Sequence, residues 1–136
     1  MKFIDSNISL RYITGDDPRQ QQAAADIMGK VMRGEEDAFT TDVHLHETAY
    51  ILASRTLYGV SHSDIRDRLR PLLLLKGLKM SNKRICLEAL DIFALHGHLD
   101  FADSLAVAHI RRQHLDGIFS FDKDFDRVPG MQRHES

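Results

Sequence analysis

The chain contains 136 residues, which suits one compact domain spanning residues 1–136 and leaves no room for a second. Its 43% apolar and 28% charged residues argue against a disordered or fibrous protein, and the lack of a long apolar run argues against a membrane span, so we expect a cytoplasmic globular domain. The net charge near −2 is weak evidence against a nucleic-acid partner, unless several acidic side chains are gathered around a cation.

In chain order, short apolar runs alternate with helical apolar spacings. We predict helices at about residues 7–12, 18–33, 42–57, 61–75, 81–96 and 100–114. Short strands are predicted at residues 2–5, 38–40, 77–80 and 118–121, with a weak edge strand after Pro129. This alternation predicts an α/β fold with three layers, in which helices cover both faces of a small parallel sheet.

Several polar residues are suited to cap these helices because their side chains can accept hydrogen bonds from free backbone N–H groups. Asp17 precedes Pro18, and proline is favoured at the first helical position. The other candidate caps are Thr41 or Asp42, Ser61 or Ser63, and Ser81.

Two aspartates, Asp5 and Asp122, each follow an apolar strand although they lie near opposite ends of the chain. In open α/β sheets the active site lies outside the carboxyl ends of the strands, so both are candidates for one crevice. Singly, each acid has an ordinary explanation. Glu47 fits a solvated helix face, Asp103 a helix-dipole interaction beside the cap Asp100, and Asp122 a polar turn.

The four carboxylates Asp5, Glu47, Asp103 and Asp122 are more informative together than singly. Clustered carboxylates repel one another and raise one another's pKa, so such a cluster persists mainly by holding a cation. Oxygen ligands of this kind suit Mg²⁺ or Mn²⁺ rather than zinc. Because such an ion can activate water for attack on phosphorus, the set predicts a site that cleaves phosphodiester bonds.

At these residues the sequence resembles the PIN-domain family, and especially the VapC-type ribonuclease toxins of type II toxin–antitoxin pairs. The segments that carry the resemblance are FIDSNISLRY, HETAYIL, DFADSLAVAH and FSFDKDF. The resemblance implies catalytic roles for the four acids, with Asp5, Asp103 and Asp122 as metal ligands. It favours Asp103 over Asp100 as the third acid, because the family's acid directly precedes a run of small apolar residues.

The same resemblance implies supporting roles for Asn7, Ser120 and Asp124 beside the acids. Arg11, one helical turn after Asn7, is a candidate contact for a substrate phosphate. The implied activity is a Mg²⁺- or Mn²⁺-dependent endoribonuclease that acts on RNA. The implied partners are a VapB-type antitoxin and a second copy of the chain in a homodimer.

Other chemistries find little support in the sequence. Tyr50 stands where an HExxH zinc site needs its second histidine, no Gly-rich phosphate loop occurs, and Ser104 lacks the glycines of a nucleophile elbow. Cys86, the single cysteine, fits a buried thiol. Tyr12, Tyr50 and Phe125 fit either base stacking or core packing.

Three alternative functions remain open at this point. The first is a PIN nuclease that is not a toxin and acts in RNA maturation or DNA processing. The second is a PIN-like module that binds RNA or protein without cleaving, although all four acidic positions are filled. The third is a phospho-acceptor domain using Asp5, which Asn7 disfavours because that chemistry needs a second acid there.

Overall fold

The computed structural model describes all residues from 1 to 136 and contains six α-helices, five two-residue strands and one 3₁₀ helix. The helices are α1 Ser6–Thr14, α2 Pro18–Met32, α3 Asp42–Ala53, α4 His62–Leu73, α5 Lys83–Leu95 and α6 Phe101–Gln113. The strands are β1 Lys2–Phe3, β2 Ala38–Phe39, β3 Leu78–Lys79, β4 Ile118–Phe119 and β5 Arg133–His134. The 3₁₀ helix covers Lys123–Arg127. None of the helices combines the length and apolar character needed to cross a membrane.

All strand pairs in the protein are parallel. Strands β1, β2 and β3 form one sheet in that order, and β4 pairs with β5 in a second. The predicted α/β fold with a small parallel sheet is therefore confirmed, and the weak edge strand predicted after Pro129 is β5. Because parallel strands end at the same edge, the segments that follow β1, β2 and β3 emerge together. A hydrogen bond of 2.8 Å from the Thr40 hydroxyl to the Ile4 carbonyl joins the first two of these segments.

The hydrophobic core draws residues from all six helices. Phe93 and Phe101 are fully buried and meet edge to face, with ring centroids 6.3 Å apart, which locks α5 against α6. Cys86 is buried, and desolvation, followed by the charge of Asp42, raises the pKa of its thiol to about 12. It is therefore an inert core residue, as expected from the sequence.

The helix starts follow the predicted caps with one exception. The Asp17 carboxylate accepts a hydrogen bond from the Gln20 N–H, and the Ser61 hydroxyl accepts one from the Asp64 N–H. Thr41 precedes α3 but its hydroxyl contacts His44 Nδ1 and not a free backbone N–H. Ser81 was the wrong choice for α5, whose N-cap is the next residue, Asn82.

Helix α3 is shorter than predicted and ends at Ala53 instead of near Leu57. The Ser54 carbonyl accepts hydrogen bonds from the N–H groups of Leu57, Tyr58 and Gly59, so the chain closes into a turn. The apolar periodicity continues past this point, but these local turn hydrogen bonds replace the helical ones and end α3.

Gly117 immediately precedes β4 and has φ of +133°, and a Cβ at this position would collide with the Gln132 carbonyl beside it. We expect Gly117→Ala to lower the free energy of unfolding by more than ~1 kcal/mol, because the substitution forces β4 away from β5. Thermal unfolding should show a fall in Tm of about 3–5 °C. The matched control is Gly97→Ala, where a Cβ meets nothing within 4 Å. Equal Tm values for the two variants would contradict this account of β4.

Candidate functional site

Two of the predicted acids, Asp5 and Asp122, cap helical segments that begin directly after strands. Asp5 Oδ1 accepts hydrogen bonds from the N–H groups of Asn7 and Ile8 at 3.1 and 3.3 Å. Asp122 Oδ1 accepts one from the Asp124 N–H at 2.9 Å. In both residues Oδ2 makes no hydrogen bond within the chain. Each carboxylate is thus held in one orientation and presents a second oxygen to an incoming group.

Asp103 lies in the first turn of α6, whose N-cap is Asp100. The Asp100 carboxylate accepts the Asp103 N–H at 2.8 Å. Burial, then the charge of Asp100 and more weakly that of Asp122, raises the pKa of Asp103 to about 6. The start of α6 and the end of β4 therefore come within electrostatic reach of each other.

Glu47 is exposed on α3 and makes no hydrogen bond. Its neighbour His46 joins α3 to the first turn of α6, because His46 Nδ1 accepts the Ala102 N–H at 3.2 Å. Glu47 therefore follows directly after the residue through which α3 contacts the helix of Asp103. Sequence reasoning missed His46, and the only signal was its position next to the glutamate in HETAY.

The same edge of the sheet continues into a polar hollow of about 260 Å³ at the ends of β2 and β3. Its lining contains no hydrophobic residue and comprises Thr40, Thr41, Asp42, Ser81 and Asn82. The Asn82 amide donates to the Asp42 carboxylate at 3.0 Å. Because Thr40 also bonds the end of β1, this polar surface lies next to Asp5.

The acids do not form a closed cage. No three His, Cys, Asp or Glu side chains lie close enough together to hold a metal ion among themselves. Among the predicted acids, Asp103 lies within electrostatic reach of Asp122, whereas Asp5 follows a strand of the other sheet. The convergence of all four acids on one ion stays a prediction.

The predicted supporting residues differ in what they contact. The Ser120 hydroxyl accepts the Asp122 N–H at 3.0 Å, and Asp124 donates its own N–H to the Asp122 carboxylate. Asn7 contributes its backbone N–H to Asp5, while its side chain is exposed. Ser120 and Asp124 thus hold Asp122, and Asn7 holds Asp5 through the backbone.

Arg11 is engaged away from the predicted acids. Its Nη1 pairs with Asp16 at 3.0 Å, and its Nε donates to Gln20 at 2.8 Å. Asp16 also accepts a hydrogen bond from the Tyr58 hydroxyl. The guanidinium therefore braces the turn between α1 and α2, and its role in binding a phosphate stays a prediction.

The structure shows which of the aromatic side chains are buried in the core and which are exposed, a choice that the sequence left open. Phe125 is buried and belongs to the core, and Tyr12 is partly buried and packs against the core. Tyr50 is 60% exposed, one turn after Glu47. Sequence reasoning missed Phe121, which is 82% exposed and directly precedes Asp122. Tyr50 and Phe121 are therefore accessible for stacking on a base, and Phe125 is not.

Comparison with known proteins agrees with this arrangement. The family model of the PIN domain matches residues 2–131, which includes all four predicted acids. No curated protein matches the chain significantly. With a match over nearly its whole length and a small parallel sheet packed by helices, the chain belongs to the PIN-domain family.

Proposed function

We propose that this protein is a divalent-metal-dependent endoribonuclease whose site comprises Asp5, Glu47, Asp103 and Asp122. PIN domains are generally nucleases and typically use divalent metals. The observation that carries the proposal is the placement of Asp103 beside Asp100 and Asp122, where burial and like charge raise its pKa to about 6. Perturbed acids of this kind concentrate at functional sites.

The residues present fit a Mg²⁺ or Mn²⁺ ion. Carboxylate oxygens are the hard ligands that these ions prefer, and the raised pKa of Asp103 shows that its charge lacks a compensating partner. The absence of a three-residue cage is compatible with Mg²⁺, which usually keeps several waters and binds through one or two carboxylates and the substrate's phosphates. Asp5, Asp103 and Asp122 would hold the ion, with bound water molecules completing the contacts that the carboxylates do not reach directly.

Side chains of the protein would orient the attacking water and accept its proton. When bound, the ion would lower the pKa of a water molecule and offset negative charge on the phosphate. The free Oδ2 atoms of Asp5 and Asp122 are pre-oriented because backbone N–H groups hold the other oxygen of each. Glu47, which is exposed and makes no hydrogen bond, would orient the water and accept its proton.

The finer proposal is that the protein is the toxin of a VapBC-type pair, neutralised by a VapB-type antitoxin and active as a homodimer. The support for it is the likeness of the four sequence segments to VapC toxins. The second candidate is a PIN nuclease of RNA maturation or DNA processing, which shares the same acids. A non-cleaving PIN-like module is disfavoured because all four acidic positions are filled.

A direct test of the activity uses purified protein freed of any bound antitoxin. We expect cleavage of single-stranded RNA with Mg²⁺ or Mn²⁺ and none with EDTA. Asp5→Asn, Asp103→Asn and Asp122→Asn should each lower kcat/KM by at least about 100-fold, which corresponds to ~2.7 kcal/mol of transition-state stabilisation. Asp26→Asn, which changes an exposed acid on α2, should be unaffected. Full activity in both Asp5→Asn and Asp103→Asn would refute the site assignment.

A stability measurement on Asp103 does not depend on cleavage. Its folded-state pKa of about 6 exceeds the usual 3.8, so ionisation destabilises the fold as the pH rises through this interval. In EDTA at pH 7.5, Asp103→Asn should raise the free energy of unfolding by about 1 kcal/mol, a value reduced for solvent screening of a half-buried carboxylate. The difference in free energy of unfolding between Asp103→Asn and the wild type should shrink towards zero as the pH falls to 4.

The same unfolding experiment tests the metal. Mg²⁺ should raise the Tm of the wild type, because an ion that binds only the folded state stabilises it. The rise should be clearly smaller in Asp103→Asn and normal in Asp26→Asn. An equal response to Mg²⁺ in all three proteins would exclude Asp103 as a ligand.

The toxin role has its own readout in cells. Induced expression of the wild type should arrest bacterial growth, and Asp103→Asn should relieve the arrest because it removes the cleaving activity. Co-expression of a small antitoxin-like protein encoded beside the gene should restore growth as well. Unimpaired growth with active, soluble enzyme would favour the maturation nuclease.

A further inference from the structure

We propose that a cleft beside the acids, here called the Tyr50 cleft, binds one unstacked base of the RNA next to the cleaved phosphate. The cleft lies between α3, α4 and the turn that joins α5 to α6. Its lining comprises Tyr50, Ala53, Ser54, His62, Phe93 and Gly97–Asp100. The adjacency to the cleaved phosphate rests on the proposed function, whereas the binding of a base can be tested separately.

The cleft is continuous with the predicted acidic site through three elements. Asp100 lines it, and the same carboxylate accepts the N–H of Asp103. Tyr50 follows Glu47 by one turn of α3. His98, also in the lining, donates from Nε2 to the carbonyl of Asp124 at 3.1 Å. A nucleotide held in the cleft would therefore have its phosphate at the acids.

The volume of the cleft is about 280 Å³. Pockets for small molecules commonly span ~300–1,000 Å³, so this cleft suits a single base better than a larger ligand. Sequence-specific recognition of RNA mostly uses unstacked bases held against aromatic side chains. The dimensions and the lining both match that mode.

The rings of Tyr50 and His62 supply flat surfaces on which a base can stack. Tyr50 is 60% exposed, and its ring lies 5.9 Å from that of His46. His62 lies flat on Phe93, with centroids 3.8 Å apart and planes at 8°, so its other face is turned away from the core. Phe93 is buried and holds the imidazole in this orientation. A base can stack on Tyr50 or on the outer face of His62 without displacing core residues.

The hydrogen bonds of the two histidines define which edge of a base the cleft prefers. His62 Nδ1 lies 3.0 Å from the Phe93 carbonyl, which only accepts, so the hydrogen is on Nδ1 and Nε2 is an acceptor in the neutral ring. By the same reasoning His98 carries its hydrogen on Nε2 and offers Nδ1 as an acceptor. No buried side-chain N or O lacks a partner, so both acceptor atoms are open to solvent.

A cleft with acceptor atoms favours bases that carry amino donors. Adenine and cytosine present an N–H₂ group on the edge that pairs, whereas uracil presents carbonyl oxygens and a single N–H. The remaining oxygen of Asp100 adds a further acceptor at the mouth of the cleft. Adenine or cytosine should therefore bind better than uracil.

The test is an NMR titration of the metal-free wild type with adenosine, cytidine and uridine, which carry no phosphate and require no cleavage. The imidazole signals of His62 and His98 should shift with adenosine and cytidine, and uridine should bind at least about 5-fold more weakly. Tyr50→Ala should weaken adenosine binding by about 5-fold or more, the range expected for loss of one stacked base. Tyr50→Phe should retain the wild-type affinity for adenosine.

The matched control is Leu74→Ala, which removes a side chain of similar exposure, 55%, outside the cleft. It should leave binding unchanged. Absence of shifts at both histidines, or equal affinity in Tyr50→Ala and the wild type, would overturn the proposal. Equal binding of uridine and adenosine would overturn the assignment of the preferred edge.

The two proposals fail in different ways. RNA cleavage by a wild type that shows no Tyr50-dependent nucleoside binding would refute the cleft and leave the nuclease standing. Tyr50-dependent binding without any cleavage of RNA would establish the base site and refute the nuclease. Where both hold, Tyr50→Ala should raise KM more than it lowers kcat and should flatten the base preference next to the cleaved bond.

Discussion

The half-buried charge of Asp103 is the constraint on which the arrangement of this molecule depends. A carboxylate that is partly desolvated and lies beside two other aspartates is unfavourable for folding at neutral pH, as its raised pKa shows. The fold tolerates it because α6 presents free N–H groups at its first turn and because the core behind it is well packed, with Phe101 fully buried. The charge of Asp103 lowers the stability of the free protein. A cation bound to this carboxylate would compensate that charge and would therefore stabilise the fold.

The parallel sheet and the helix starts supply the geometry that such a site requires. Strands of one sheet that run in the same direction end at one edge, but Asp5 follows β1 of the larger sheet and Asp122 follows β4 of the smaller one, each as a cap. Capping uses one carboxylate oxygen and leaves the other free, so the same residue can start a helix and bind a ligand. The hydrogen bond between His46 and the start of α6 joins the helix of Glu47 to that of Asp103. A shared site would therefore depend on the packing of the helices as well as on the strand ends.

Much of the fold could be predicted from the sequence, because helical periodicity and caps such as Asp17–Pro18 are local signals. Predictions from local signals were wrong where contacts between distant segments decide which of two neighbouring residues begins a helix. Asn82 takes the N-cap position of α5 in place of Ser81, and its side chain bonds Asp42 of another helix instead of a free backbone N–H. Likewise, the sequence could place Asp103 on a helix start but could not show its proximity to Asp122, which depends on the packing of distant segments. His46 and the Tyr50 cleft arise from contacts between α3, α4 and α6 and carry no local pattern.

The near-neutral surface limits how this protein would bind RNA under the proposed function. If Asp5, Asp103 and Asp122 are set aside as the proposed ion ligands, 17 acidic residues stand against 18 basic ones, so the rest of the chain offers little excess positive charge. A protein of this kind gains little affinity from the release of counterions along a phosphate backbone. Affinity for RNA would then come mainly from contacts at the proposed site, namely an ion that contacts the phosphate and an aromatic surface that contacts a base. The acids and the Tyr50 cleft share Asp100 and α3, which is the arrangement that such local recognition requires.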